Sequence, residues 1–316
     1  QQERANYRTV KVNELVDSRT DISLDGTWLF MPEYQLNDKD KAISVATDDK
    51  NWHVMSVPNF WNPIRIWLHG ETMPSPAGPQ PKGVSDTYYQ QETERCEGYT
   101  FDYRKTKAAW YRQWVELPAN VEGKNMTLTF DAVSKVAEIY INGELAGSHI
   151  GMFGEIQVDG SKLLKSGKNL VVVKVVSKTD GSASESGSAA IDFFYSSVRE
   201  SEKEDGKVSA KSNLLKDIAH GFYGDEPAGI WQPVKLTITS PLKVENVFIK
   251  PSLDGATFDL TVKNHGTKKN QFNLYTDIVD KETGSVFYSK LSLQKLVLNA
   301  DEEKMFTYNI NGLKPR

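Results

Sequence analysis

Val136-Ala137-Glu138-Ile139-Tyr140-Ile141-Asn142-Gly143 decides the fold class. Ala137, Ile139 and Ile141 fall on one side of an extended chain and Glu138 and Tyr140 on the other, the two-residue period of a half-buried strand. Asn142-Gly143 is the dipeptide suited to the positive-φ positions of a two-residue hairpin turn, so a returning strand is expected after it. Working outward, Met126-Thr127-Leu128-Thr129-Phe130 alternates upstream. Downstream, Lys165-Ser166-Gly167-Lys168-Asn169 is a turn cluster ahead of the apolar run Leu170 to Val176. After Pro233, Val234-Lys235-Leu236-Thr237-Ile238 alternates again, and helical periodicity is scarce throughout. These strands predict an all-β sandwich.

The pattern breaks at Thr239-Ser240-Pro241, because proline lacks the donor that would continue a ladder. It restarts with Val244 to Ile249, Ala256 to Val262, Phe272 to Val279, Val286 to Tyr288 and Met305 to Ile310. Short strands so closely spaced by turns predict a second sandwich. The expected organisation is a leader over 1–20, a first sandwich over 21–240 and a second over 241–316. The leader is expected to run along the outside. Residues 62–103, rich in proline, glycine and aromatics, read as a surface excursion. Asp180 to Ser188 reads as a flexible loop, and the charged stretch Ser197 to Lys216 as the place for a short helix.

Composition narrows function by exclusion. With 38 basic against 42 acidic residues, the net charge of -4 offers no field to gather phosphates, so nucleic acid is not an expected partner. No apolar run reaches the length of a membrane-spanning helix; the longest, Leu170 to Val176, is interrupted by Lys174. Cys96 is the single cysteine, which excludes an intrachain disulfide and thiolate metal centres of several ligands. His53, His69, His149, His220 and His265 are scattered without metal-ligand spacing. Neither a Gly-x-Ser-x-Gly elbow nor a phosphate-cradling loop is present. No twelve-residue calcium loop of EF-hand type occurs, and neither metal nor cofactor is expected. A start at Gln1-Gln2-Glu3 without methionine is expected from signal-peptide removal, hence a periplasmic or secreted protein.

Seven landmarks, in order, carry a family resemblance. They are Ser23-Leu24-Asp25-Gly26-Thr27-Trp28-Leu29-Phe30, Val57-Pro58 with Trp61, Ala109-Trp110-Tyr111-Arg112-Gln113, Ala137 to Gly143, Gly147-Ser148-His149-Ile150-Gly151, Leu163 to Asn169, and Ala228-Gly229-Ile230-Trp231-Gln232-Pro233-Val234. Together they resemble the N-terminal region of family 2-type glycoside hydrolases, the group of β-galactosidases, β-glucuronidases and β-mannosidases. The resemblance implies a jelly-roll (galactose-binding-like) β-sandwich and then an immunoglobulin-like β-sandwich. It also implies a catalytic barrel with two glutamates, which this chain does not contain. On that comparison the second sandwich is incomplete and should show an exposed or irregular edge. Gln232 stands where many relatives carry arginine.

No catalytic residue is expected in the chain itself. A retaining glycosidase needs two carboxyl groups about 5 Å apart, and the family places its acid in an Asn-Glu pair at a barrel strand end. Asn13-Glu14, the one such pair here, lies in the leader and reads as solvated surface. For sugar contact, the resemblance points to the segment His220 to Pro227, with Asp225 first and Tyr223 and Glu226 beside it. Without the resemblance, Asp225 and Glu226 read as turn residues ahead of Pro227. Trp61, Trp67, Tyr88 and Tyr89 are further candidates, since a flat aromatic face suits the apolar face of a pyranose. Trp28, Trp110, Trp114 and Trp231 lie on strand-like motifs and read as packing residues. The expected role is a scaffold and accessory sugar-contacting part of a secreted glycoside hydrolase, partnered by the barrel of the same polypeptide and by a glycan or oligosaccharide. The alternative is a free-standing carbohydrate-binding or adhesion module.

Overall fold

The computed structural model describes residues 4–16, 19–63, 84–134, 136–176 and 228–312. The chain is all-β and forms two compact units. Most of the chain up to Thr237 belongs to the first; Ile238 onward, with Leu15–Thr20 and Asn120–Met126, belongs to the second. In chain order the elements before Ser240 are β1 (Val10–Lys11), β2 (Arg19–Ser23), β3 (Gly26–Pro32), α1 (Asp40–Ile43), β4 (His53–Val57) and α2 (Val84–Glu97). They continue with β5 (Ala108–Leu117), β6 (Asn125–Phe130), β7 (Val133–Ser134), β8 (Val136–Ile141), β9 (Glu144–Ile150) and β10 (Ile156–Asp159). β11 (Gly167–Val176), β12 (Gly229–Ile230) and β13 (Val234–Thr239) complete the series.

One sheet runs in the order β4-β3-β5-β11-β8-β9, with β1 added in parallel to β5. The second runs β10-β6-β13-β2. β5 and β11 form the spine of the first, paired without a break from Gly167↔Leu117 to Val176↔Ala108. Along β5, Trp110 belongs to a core on one face, while Tyr111 meets Trp28 and Phe30 on the other. Along β11, Leu170 and Val172 join the Trp110 core, and the intervening Val171 and Val173 are equally buried. Burial on both faces explains why Trp28-Leu29-Phe30 and Leu170-Val171-Val172-Val173 are continuous apolar runs rather than alternating ones.

The outer face of this sheet is covered by the segment between β3 and β4. Ala42 of α1, Trp52 and Val54 pack on Leu29, Trp110, Leu170 and Val172. Arg112 is fully buried in this layer and donates through Nη1 to the carbonyls of Ala42 (2.9 Å) and Ser44 (3.1 Å) at the end of α1. Its guanidinium lies 5.1 Å from the Trp52 ring, and Asp49 approaches to 3.9 Å. The cation satisfies orphan carbonyls at a helix C-terminus, while Nε and Nη2 of Arg112 have no hydrogen-bond partner among the described residues.

The Asn142-Gly143 turn has the expected positive φ at both residues, 52° and 92°. It is tied to the turn before β11 through two amides. Asn169 donates to the carbonyls of Lys165 (2.7 Å) and Gly167 (3.0 Å) and accepts from Lys165 N (3.0 Å) and from Asn142 Nδ2 (2.9 Å). Asn142 in turn accepts from Leu170 N at 2.9 Å and donates to Leu163 O at 2.8 Å.

Three expectations need correction. The leader does not stay outside the sheets, since β1 extends the first sheet at Val10↔Val115 and Tyr7 packs beside Trp110. The excursion over 62–103 contains the fourteen-residue helix α2. Its sequence hides it because glutamine, glutamate and threonine dominate, leaving no apolar stripe. The strand beginning at Val286 runs to Leu298, well past Tyr288, kept going through bulges.

In the second unit, β14 (Leu242–Ser252), β15 (Gly255–Asn264) and β18 (Glu303–Asn311) form one sheet, and β16 (Asn270–Val279) pairs with β17 (Val286–Leu298) in another. Phe258, Leu260, Val262, Phe306 and Ile310 from the first meet Leu274 and Leu298 from the second in a single core. Buried Asn264 closes its end, donating to the carbonyls of Lys268 (2.8 Å) and Asn299 (2.7 Å). β14 is an edge strand, and register places Ile249 and Val247 opposite Phe258 and Leu260. They share the core face yet remain 52% and 50% exposed.

Asn169→Ala should strand several buried turn groups at once. We expect it to lower stability by about 3 kcal/mol, read as a lower urea midpoint with the unfolding slope unchanged.

Candidate functional site

The nominated loops leave the described structure at one place. After β4 and the cis Val57-Pro58 bond, the chain runs antiparallel to the closing motif. Asn59 N donates to Ile230 O and Trp61 N to Ala228 O, both at 2.8 Å. The Asn62 side-chain oxygen accepts from Ala228 N at 2.9 Å. On its other side β12 pairs with β7, at Gly229↔Ser134 and Ile230↔Val133. A side chain at Gly229 would have no room, because its Cβ would stand 2.4 Å from the Asn59 carbonyl, and φ is +145°.

Aromatic rings brace this junction. Trp231 stacks on Phe60 at 5.5 Å with planes 15° apart, meets Phe153 edge-on at 5.9 Å, and donates from Nε1 to Met152 O at 3.0 Å. Phe153 is 58% exposed. From α2, Arg95 donates through Nη1 to Phe60 O at 3.2 Å while Nη2 and Nε engage both Glu92 oxygens at 2.6 and 3.1 Å. Arg95 also bonds the Tyr99 hydroxyl. Burial opposes the Arg95 charge, but the hydrogen-bonded Glu92 carboxylate together with neighbouring Tyr99 and Cys96 outweighs it and holds the guanidinium above its ordinary range. Burial pushes the neighbouring Cys96 thiol up to about 11 and raises Tyr99 as well. With Glu92 engaged by Arg95 and Cys96 protonated, this cluster is built to position chain segments, not to move protons.

Among the sequence candidates, Trp61 is corrected. Its ring is 1% exposed, 5.7 Å from Phe30 and 6.4 Å from Tyr111, and Nε1 donates to Thr106 O at 3.2 Å. A ring enclosed on both faces has none to offer a sugar, and Trp61 serves as core. Tyr88 and Tyr89 lie on α2, and their side chains fall outside the description. Trp67, Tyr223, Asp225 and Glu226 lie outside the described residues, as do Asp180 to Ser188 and Ser197 to Lys216. Asn13 and Glu14 are exposed. Trp28 and Trp110 are buried, while Trp114 is half-buried with Nε1 on Asp49 at 3.1 Å. Sequence patterning does not single out Phe153. The readable signal is an aromatic inside Gly151-Met152-Phe153-Gly154, where the flanking glycines turn Met152 inward and Phe153 outward. Among the described residues no group of three His, Cys, Asp or Glu side chains could hold a metal ion, and no helix is long and apolar enough to cross a membrane.

Residues 82–211 match the family described as glycosyl hydrolase 2 galactose-binding domain-like. Over 168 residues the chain is 27% identical to a putative beta-glucuronidase of Formosa agariphila, covering 53% of this chain and 16% of that protein. Over 153 residues it is 29% identical to a beta-galactosidase of Thermoanaerobacter pseudethanolicus, covering 48% of this chain and 16% of that one. Among solved structures, a calcium-binding mutant of Bacteroides uniformis beta-glucuronidase 2 superposes with a TM-score of 0.59 at 21% identity. That match covers 94% of this chain and 28% of the other, so the likeness is one of fold over less than a third of the longer protein.

Two outcomes are expected from this geometry. Gly229→Ala should cost about 2 kcal/mol or more and speed hydrogen exchange at the Asn59 and Trp61 amides, measured by NMR. Cys96, protonated at pH 8, should not react with a disulfide reagent in the folded chain and should react fully once urea exposes it.

Proposed function

We propose, from the match of residues 82–211 to the galactose-binding-like domain of the family 2 glycoside hydrolases, that this chain is the non-catalytic front of a secreted or periplasmic retaining β-glycosidase. In this reading the catalytic carboxylates come from a barrel elsewhere in the polypeptide, and this part supplies scaffold and sugar contacts. The names of its relatives suggest a substrate with a terminal β-linked glucuronic acid or galactose. The observation that carries the reading is the junction of Asn59–Asn62 with Ala228–Trp231. It roots the chain just after Asp225 and Glu226 beside the chain just before Trp67, so both segments start from one rigid base. Asp225 is assigned as an acceptor for sugar hydroxyls, with Tyr223 and Glu226 beside it.

In the complete polypeptide, Asp225→Ala is expected to lower kcat/KM on a β-glycoside about tenfold to a hundredfold, the loss of hydrogen bonds from a carboxylate, with the thermal midpoint unchanged. An unaltered kcat/KM would remove this loop from the site. The reading frame beyond the Arg316 codon is expected to encode further strands and then βα repeats with Asn-Glu at a strand end. A stop codon there would instead favour a free-standing sugar-binding module.

A further inference from the structure

The sequence contains two Asn-Gly pairs, Asn142-Gly143 and Asn311-Gly312. This dipeptide is the most labile setting for a side-chain amide, because glycine has no Cβ to keep its main-chain nitrogen away from the asparagine Cγ. That nitrogen, losing its proton to base, attacks Cγ. The Cγ–Nδ2 bond breaks, ammonia leaves with a proton, and a five-membered succinimide remains. Water then opens the ring at either carbonyl, leaving aspartate or, with the main chain rerouted through the side chain, isoaspartate. Both glycines have positive φ, 92° at Gly143 and 80° at Gly312, so local sequence and turn geometry leave the two pairs alike. The surroundings of the two carboxamides differ.

Asn142 is held through both ends of its amide. Oδ1 accepts from Leu170 N at 2.9 Å, while Nδ2 donates to Leu163 O at 2.8 Å and to Asn169 Oδ1 at 2.9 Å. Its main-chain nitrogen donates to Leu170 O at 2.9 Å. For Cγ to meet the Gly143 nitrogen, the carboxamide must turn out of its three bonds, and the departing atom is the one that two acceptors hold. Three hydrogen bonds of ordinary net strength slow such a step about a hundredfold. An aspartate here would also be a misfit, because a carboxylate oxygen would face two acceptors, Leu163 O and Asn169 Oδ1. Asn311 lacks these restraints. It is the last paired residue of β18, opposite Gly255, and Gly312 lies beyond the ladder. Both are exposed, and no hydrogen bond holds the Asn311 carboxamide among the described residues. We propose that Asn311 is a site of spontaneous deamidation in the folded protein, with water as co-reactant, and that Leu163, Asn169 and Leu170 shield Asn142 from the same reaction. A carboxylate at 311 meets solvent, and the extra main-chain methylene of isoaspartate falls at the end of the ladder. The modified chain therefore keeps its fold and gains a negative charge.

The test incubates the 316-residue chain in mildly alkaline buffer, folded and in urea, and follows both sites by peptide mapping with mass spectrometry. The readouts are the mass change from amide to acid and the fragment ions that separate aspartate from isoaspartate. In the folded chain Asn311 should convert about a hundredfold faster than Asn142. In urea, with the hydrogen bonds of Asn142 gone, the two rates should agree to within about threefold. Asn169→Ala, shown to be folded by near-UV circular dichroism, should speed conversion at Asn142 about fivefold by removing one acceptor, and should leave Asn311 unchanged. Asn142→Asp should lower the urea midpoint, whereas Asn311→Asp should not. Equal rates at the two sites in the folded chain, an Asn311 that reacts only in urea, an Asn142 rate indifferent to Asn169→Ala, or a midpoint lowered by Asn311→Asp would overturn the proposal.

Discussion

Everything in the first unit rests on the uninterrupted pairing of β5 with β11, buried on both faces. A strand in that position must satisfy its backbone through its neighbours and every side chain through packing, since water reaches neither face. The consequences differ on the two sides. One receives Tyr111 with Trp28 and Phe30, the interior of the sandwich. The other carries Trp110 and Arg112, and a buried guanidinium cannot be left without acceptors. The segment from Glu33 to Trp52 is drawn over it to supply the Ala42 and Ser44 carbonyls and the Asp49 carboxylate. An otherwise irregular stretch thus acquires one conformation because of a charge on a distant strand.

The same interior sets the candidate site. Phe30 and Tyr111 enclose Trp61, and Trp61 in turn fixes the Asn59–Asn62 backbone that meets Ala228–Trp231. Gly229 permits the two backbones to approach, and Trp231 on Phe60 seals the contact. Binding residues are commonly carried on loops held by a rigid scaffold. Here the rigidity can be traced residue by residue from the core to the loop roots. The helix α2 takes part through Arg95, whose two-oxygen grip on Glu92 leaves Nη1 free to hold Phe60 O.

The second unit solves its problem separately. Among the described residues five strands in two sheets share one core, and Asn264 ties the ends of neighbouring strands together beside it. Its edge strand β14 turns Val247 and Ile249 toward the core face without covering them. Apolar side chains in that position are the feature by which an edge invites pairing.

Local chemistry was sufficient for much of this. The alternation in Val136 to Ile141, the Asn142-Gly143 turn, the break at Thr239 to Pro241 and the strands from Val244 to Ile310 are readable because a two-residue period and a turn dipeptide act over a few neighbours. The ordered landmarks carried the family resemblance for the same reason, each being a short strand or turn. Tertiary structure alone decided the rest. Whether an aromatic is core or surface depends on partners far along the chain, which is why Trp61 reads as a sugar platform in sequence and is enclosed in the fold. The α2 helix lacks the apolar stripe by which helices announce themselves, and is held instead by Arg95 and Cys96 at its last turn. The union of Asn62 with Ala228 spans 166 residues. No local pattern encodes such a contact, because it exists only once β5 and β11 have closed the sandwich between them.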